Sequence, residues 1–258
     1  MNLFMEFLLL LLIIIYSYIE AFVKLFIPVK RKSVSGELVL ITGAGHGIGR
    51  LTAYEFANRQ SRLVLWDINK HGIEETAAEC RRLGAAAHAF VVDCSKREEI
   101  YSAAEKTTKA FLPAMMKNNH GHIVTVASVA GHLVASFMVT YCSSKFAAVG
   151  FHKALTQELS ALGKDGIKTS CLCPVFINTG FVKNPSIRLM KVLEPEKVVN
   201  KLLEGILTNQ KIIFVPSFLK ICLIMENILP ERVMAAVYKL QNTQFDAVVG
   251  YKNRVISD

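Results

Sequence analysis

The chain has 258 residues, 52% of them apolar and 20% charged, with a net charge of +9. That length and apolar content exclude a disordered protein and allow one large domain with a sizeable core plus attachments. The positive charge is densest at Lys30, Arg31 and Lys32 and forms no long basic face with interleaved aromatics. This excludes a nucleic-acid stripe and fits a membrane-facing flank or a lysine-rich solvated surface. Six cysteines (Cys80, Cys94, Cys142, Cys171, Cys173 and Cys222) make neither C-x-x-C pairs nor a dense framework. They read as small core residues in a reducing compartment.

The chain opens with an uncharged run from Phe7 to Ile19, bounded by Glu6 and Glu20. Thirteen helical residues reach only ~20 Å against a hydrocarbon core of ~30 Å, so the run is short for a span. No Lys or Arg precedes it and no A-x-A-like site follows, which argues against a cleaved signal. Cations placed after the run keep the following domain in the cytosol by the positive-inside rule. Residues 1–32 are therefore expected to be an uncleaved anchor, monotopic or hairpin-like, with a simple span, a signal and a buried helix as the alternatives.

From Glu37 the pattern alternates. Strands are expected at 37–42 (ELVLIT), 62–67 (RLVLWD), 87–93 (AHAFVVD), 122–128 (HIVTVAS), 167–173 (IKTSCLC) and 211–217 (KIIFVPS). Helices are expected from Gly47, over 72–84, from about Tyr141 to Leu162, and from Pro195. Apolar strands separated by amphipathic helices predict a doubly wound α/β domain with a parallel sheet covered on both faces, over residues 33–217. The extension 218–258 places Phe218, Leu219, Leu223, Ile224, Ile228 and Leu229 near helical spacing with a break at Pro230, suited to packing on its own domain or to a membrane. One interval stands out. From Ser95 to His122 there is a single helix, with a capping box at Ser95 and Glu98 and a kink expected at Pro113, and no strand.

The stretch Thr42–Gly43–Ala44–Gly45–His46–Gly47–Ile48–Gly49 follows the first strand and opens a helix. Glycines there let main chain approach a pyrophosphate at the positive helix end. Asp67 ends the second strand eighteen residues after Gly49, where a carboxylate accepts the adenosine ribose hydroxyls and repels a 2′-phosphate, favouring NAD over NADP. Asp93, ending the third strand, is placed for the adenine amino group or for a cap. The alternative is a plain tight turn with Asp67 capping the next helix. A second set is Ser128, Tyr141 and Lys145. Tyr141 and Lys145 lie four apart on one helix face, and an ammonium ~4 Å from a phenol at an effective dielectric of ~20 favours the phenolate by about 4 kcal/mol. That shift brings a phenol of pKa ~10 near working pH as a general acid and base. Ser128 is placed to hold the substrate's oxygen.

On TGAGHGIG, the Ser–Tyr–Lys set and the run Pro174 to Thr179, the chain resembles the short-chain dehydrogenase/reductase family, which has a Rossmann-like doubly wound parallel sheet. The resemblance implies cofactor contacts at Gly43, Gly47, Ile48, Gly49, Asp67, Asp93, Tyr141, Lys145 and Thr179, the last toward the nicotinamide carboxamide; Val175 stands where the family has glycine. The blocks KLFIP, VLWDINK, YCSSKFAAVGFHKALT and NTGF resemble a branch of 17-beta-hydroxysteroid dehydrogenases of lipid droplets and endoplasmic reticulum. This implies NAD-dependent oxidation of a steroid or a retinol-like lipophilic alcohol, a cytosol-facing catalytic domain, and dimers. The family also has a fourth strand ending in N-N-A-G and a helix with a catalytic asparagine between the counterparts of Asp93 and Ser128. Only thirty-four residues separate those positions here, whereas two strand-helix units need ~60. A skipped unit should leave a gap, or move the next strand and its residues by ~4.8 Å, and so impair turnover. Two readings of other classes stay open: a noncatalytic lipid-droplet surface protein and a soluble nucleotide-binding regulator.

Overall fold

The structure is a computed structural model that describes residues 3–24, 26–27, 29–93, 111–135, 138–183, 186, 188, 190–241, 243 and 247–248. The chain divides into two compact units, Met1–Lys32 and Ser33–Asp258. The first is helix α1 (Leu3–Lys24), 22 residues long. It runs past both Glu6 and Glu20, so the uncharged run underestimated its reach. At 1.5 Å per residue it is about 33 Å long, enough for a hydrocarbon core. Its window Leu3–Glu20, of mean hydropathy 2.1 and with none of its residues buried, is long and apolar enough to cross a membrane.

In the second unit, β1 (Leu38–Thr42), β2 (Arg62–Asp67) and β3 (Ala87–Val91) alternate with α2 (Gly47–Ala57) and α3 (Lys70–Arg82). Asn69 caps α3 by accepting the Gly72 N–H at 3.1 Å. The expected junction helix from Ser95 falls largely on residues 94–110, outside the described residues. Its continuation, residues 111–118 (α4), is helical and includes Pro113. Leu112, Met115 and Met116 of α4 pack beside Leu155, Leu159 and Ile167. Then come β4 (Gly121–Val126), a 3₁₀ turn (Val129–Gly131), α5 (Val139–Ala161), β5 (Ile167–Pro174), β6 (Val182–Lys183), α6 (Pro195–Leu207) and β7 (Ile212–Val215). Pro195 sits in the first turn of α6, where its missing N–H costs nothing. The tail forms α7 (Leu219–Ile228) and α8 (Glu231–Gln241), interrupted at Pro230 as its sequence predicts, and β8 (Ala247–Val248). Leu219 is buried, whereas Ile221, Ile224 and Ile228 are exposed. Tyr238 donates to Glu226 at 2.8 Å and ties α8 to α7.

The strands form two parallel three-stranded sheets, β1-β2-β3 and β4-β5-β7, and a small antiparallel pair, β6-β8. No described strand lies between β1 and β4, and these two do not pair. Among the described residues, β4 has therefore not slid across to pair with β1. Contacts at both ends give the two strands the same direction. At their starts, His120 meets Glu37 with Nε2 and Oε1 3.1 Å apart, and past their ends the loop after β5 reaches the turn after β1. Helix α2 packs on α6, and one apolar core is shared by the halves, from Leu63 and Leu65 on one side to Leu172, Val198 and Leu203 on the other. Each of these five is at most 1% exposed, so the halves are held by helices and side chains where main-chain bonds are lacking.

Candidate active site

The turn after β1 is shaped by glycines that no other residue replaces. Gly47 has φ +55°, and a Cβ on Gly49 would lie 2.0 Å from the carbonyl oxygen of Gly43. The main chain thus doubles back on itself at the N-terminus of α2 and leaves a cradle of backbone without side chains. Ile48 points its side chain down onto the core. Asp67, at the end of β2, closes one side of the cradle. Its Oδ2 accepts the Gly45 N–H at 2.8 Å and its Oδ1 accepts the Asn69 N–H at 2.9 Å, so the carboxylate is fixed at the rim. A cradle of main-chain donors at a helix N-terminus with an acid beside it fits the adenosine-pyrophosphate half of a dinucleotide. Asp93 lies just past the end of β3 and is half-buried.

Two residues that the sequence did not single out brace this turn. Thr76 is fully buried, and its hydroxyl is shared between the carbonyl oxygens of Ala44, 3.0 Å away, and Gly72, 2.8 Å away. Arg50 donates through Nη2 to the carbonyl oxygens of Gly45 at 2.6 Å and Gly72 at 3.1 Å. A signal for Arg50 existed. A cation in the first turn of a helix opposes the macrodipole and needs local compensation, here from those carbonyls and from Glu75, 3.2 Å away.

On the other half, Tyr141 and Lys145 lie one turn apart on α5, with the Lys145 Nζ 5.6 Å from the Tyr141 ring centre. Burial pulls the Lys145 ammonium below the usual lysine pKa, and the nearby Cys171 and Cys173 thiols oppose that shift. Its Nζ donates to the carbonyl oxygen of Val126 at 3.3 Å. Ser128 is buried; its hydroxyl donates to the Pro174 carbonyl at 3.2 Å and accepts the Ala130 N–H at 3.2 Å, capping the 3₁₀ turn. The five described cysteines are free thiols, four of them buried.

The loop after β5 joins the two sets. Thr179 stands over the glycine turn, with its Cγ2 3.5 Å from where a Gly47 Cβ would be. Two residues on, the Phe181 ring lies 5.9 Å from that of Tyr141. The glycine cradle and the phenol–amine pair therefore flank one crevice at the carboxyl ends of the parallel strands, at the point where strand order reverses, which is where doubly wound α/β proteins bind their ligands.

That placement is the layout of a nucleotide-binding protein of the doubly wound class, and sequence comparison gives the family. The chain belongs to the short-chain dehydrogenase family, whose profile matches residues 37–109 and 101–188. The two matches overlap at 101–109, between β3 and β4, so the chain meets the profile in two pieces and not in one continuous run. The chain is 56% identical to the 17-beta-hydroxysteroid dehydrogenase 13 of Rattus norvegicus over 298 positions, covering 98% of this chain and 99% of the relative. It is 58% identical to the estradiol 17-beta-dehydrogenase 11 of Mus musculus over 291 positions, covering 96% and 97%. An alignment of 298 positions against a chain of 258 residues leaves at least 40 positions of the rat relative with no counterpart here. Among solved structures, a short-chain dehydrogenase/reductase from Burkholderia phymatum in complex with NAD superposes with TM-score 0.64 at 22% identity, covering 80% of this chain and 96% of that one. A short-chain dehydrogenase from Sphingobium yanoikuyae in complex with NADPH gives 0.63 at 20% identity, covering 84% and 99%. At these identities the likeness is one of fold.

Proposed function

We propose that the chain is a membrane-anchored hydroxysteroid dehydrogenase that uses NAD, and that its turnover is weakened by the open seam between its half-sheets. What supports the reading is the loop that touches both the glycine turn, through Thr179, and Tyr141, through Phe181. The relatives' names add the substrate class, a 17-beta-hydroxy steroid, with retinol-like alcohols as chemically similar candidates. Asp67 favours NAD because its fixed carboxylate would sit against a 2′-phosphate. When bound, the nicotinamide supplies the hydride acceptor. Gly43, Gly47, Ile48 and Gly49 would hold the pyrophosphate side, Asp67 and Asp93 the adenosine, and Thr179 the carboxamide end.

In this reading Tyr141 takes the proton of the substrate hydroxyl, and the Lys145 ammonium stabilises the phenolate and holds the ribose. Ser128 steadies the substrate oxygen, for which it must turn its proton away from Pro174. Weak turnover follows from the seam. Lys145 spends a hydrogen bond on Val126, at the exposed edge of β4, and among the described residues the two halves of the crevice share no strand pairing to fix their spacing. α1 would hold the chain at the endoplasmic reticulum and lipid droplets with the catalytic unit in the cytosol, as a dimer.

The same seam favours a second reading, a noncatalytic protein of the lipid-droplet surface. NAD-dependent oxidation of estradiol or retinol, measured beside the rat relative, separates the two. Turnover that Tyr141→Phe abolishes supports the enzyme, and no turnover above the Tyr141→Phe background supports the surface protein. Titration of NADH against the emission of Trp66, the sole tryptophan, tests the cradle separately. Lack of saturable quenching rejects it.

A further inference from the structure

We infer that the seam between β1 and β4 is an acceptor for one extended strand supplied by another polypeptide, and that filling it releases Lys145 from Val126. In a parallel pair each residue turns both its N–H and its C=O to the same neighbour, and successive residues alternate. The Arg62 N–H donates to Glu37 and the Ala127 N–H to Leu172, so Val39 and Ile41 face β2 while Thr125 and Ala127 face β5. Leu38, Leu40 and Thr42 on β1, and Val124 and Val126 on β4, therefore turn their main-chain groups toward the seam. Among the described residues no strand pairs with them. Both edges run the same way, and side chains along them are open to water, with Leu38 56% and Val126 49% exposed. Two aligned edges that are each a parallel template accept a strand that is parallel to both.

The occupant is set by what the chain lacks. At least 40 positions of the rat relative have no counterpart, the two profile matches meet at residues 101–109, between β3 and β4, and about 30–40 residues make one strand-helix unit. The segment that fits is that unit, carried by a separate chain. A strand entering the seam would put its own N–H on the Val126 carbonyl, the acceptor that now holds Lys145 at 3.3 Å. The Lys145 ammonium would then turn back toward Tyr141. This last step rests on the catalytic reading above; the docking itself does not.

The test uses the full chain in detergent and a synthetic peptide with the rat relative's unmatched segment, read by fluorescence anisotropy of the labelled peptide and by residue-resolved amide exchange of the protein. Docking predicts saturable one-to-one binding. At about ten times the Kd, it predicts roughly tenfold slower exchange at the amides of Leu40, Thr42, Val124 and Val126, with no change at Val64 on β2. Prolines at alternate positions of the peptide's strand should abolish both effects. Equal binding of a scrambled peptide, binding without protection of those four amides, or protection that rises with protein concentration in the absence of peptide would each overturn the proposal; the last would mean that a second copy fills the seam. Docking without any gain in NAD-dependent turnover would reject the catalytic reading and leave the acceptor site standing.

Discussion

Gly49→Ala should be the most damaging small substitution in the glycine turn. The added methyl would sit 2.0 Å from the Gly43 carbonyl oxygen and 2.7 Å from its carbon, whereas carbon and oxygen normally approach no closer than about 3.3 Å. Neither partner is a side chain that can swing away, so α2 must part from the end of β1 by more than about 1 Å. Overpacking costs about 1–3 kcal/mol where side chains give way, and a backbone-on-backbone clash belongs at the top of that range. For a unit of this size about 3 kcal/mol is a drop of roughly 6–12 °C in Tm. Gly150→Ala is the control. It lies on the exposed face of α5 with nothing within 4 Å of its would-be Cβ, and it should gain about 0.5–1 kcal/mol from helix propensity. Thermal unfolding followed by circular dichroism should therefore move in opposite directions for the two variants. Equal shifts, or an unchanged Tm for Gly49→Ala, would refute the close approach on which the cradle depends.

Thr76→Val keeps the shape of a fully buried side chain but strips a donor from the Ala44 and Gly72 carbonyls, and should lower stability by about 2 kcal/mol in urea unfolding. His132 and His152 are held below the ordinary histidine pKa of 6.5, chiefly by burial. The unfolded chain thus binds protons more readily than the folded one. Stability is full above about pH 6.5 and falls as pH drops from there toward the folded-state values; a urea midpoint that rises on acidification would contradict this, and His152→Gln should flatten the slope. Deleting residues 1–32 should release the chain from carbonate-washed membranes, and retention in the pellet would transfer anchoring to the exposed Ile221, Ile224 and Ile228 of α7.

Strands such as LVLIT and RLVLWD were legible because each is a run of β-branched and leucine residues bounded by turn residues, and RLVLWD has the same bounds by pattern and by hydrogen bonding. The glycine turn and the Tyr141–Lys145 pair were legible for a related reason, since local geometry there demands particular residues at fixed spacing. Long-range bonds leave no such trace. Nothing near Thr76 announces that it reaches Ala44, 32 residues back, or near His120 that it meets Glu37 across 83 residues. The β6-β8 pair was missed because two residues a side carry no periodicity. The reach of α1 was misjudged because the run was ended at Glu6 and Glu20, which a helix carries through at little cost near its ends.

The order of strands explains why a chain at least 40 positions short of the rat relative keeps recognisable halves. Each half winds outward from the seam, so β2 and β3 still have every neighbour they need on one side, and β5 and β7 on the other. Had the lost piece been β2 and its helix, β3 would have been stranded with nothing to lie against. A doubly wound architecture thus has one internal tear line along which a module can be missing while every remaining strand keeps a partner, and here that line runs between the glycine turn and the Tyr141–Lys145 pair.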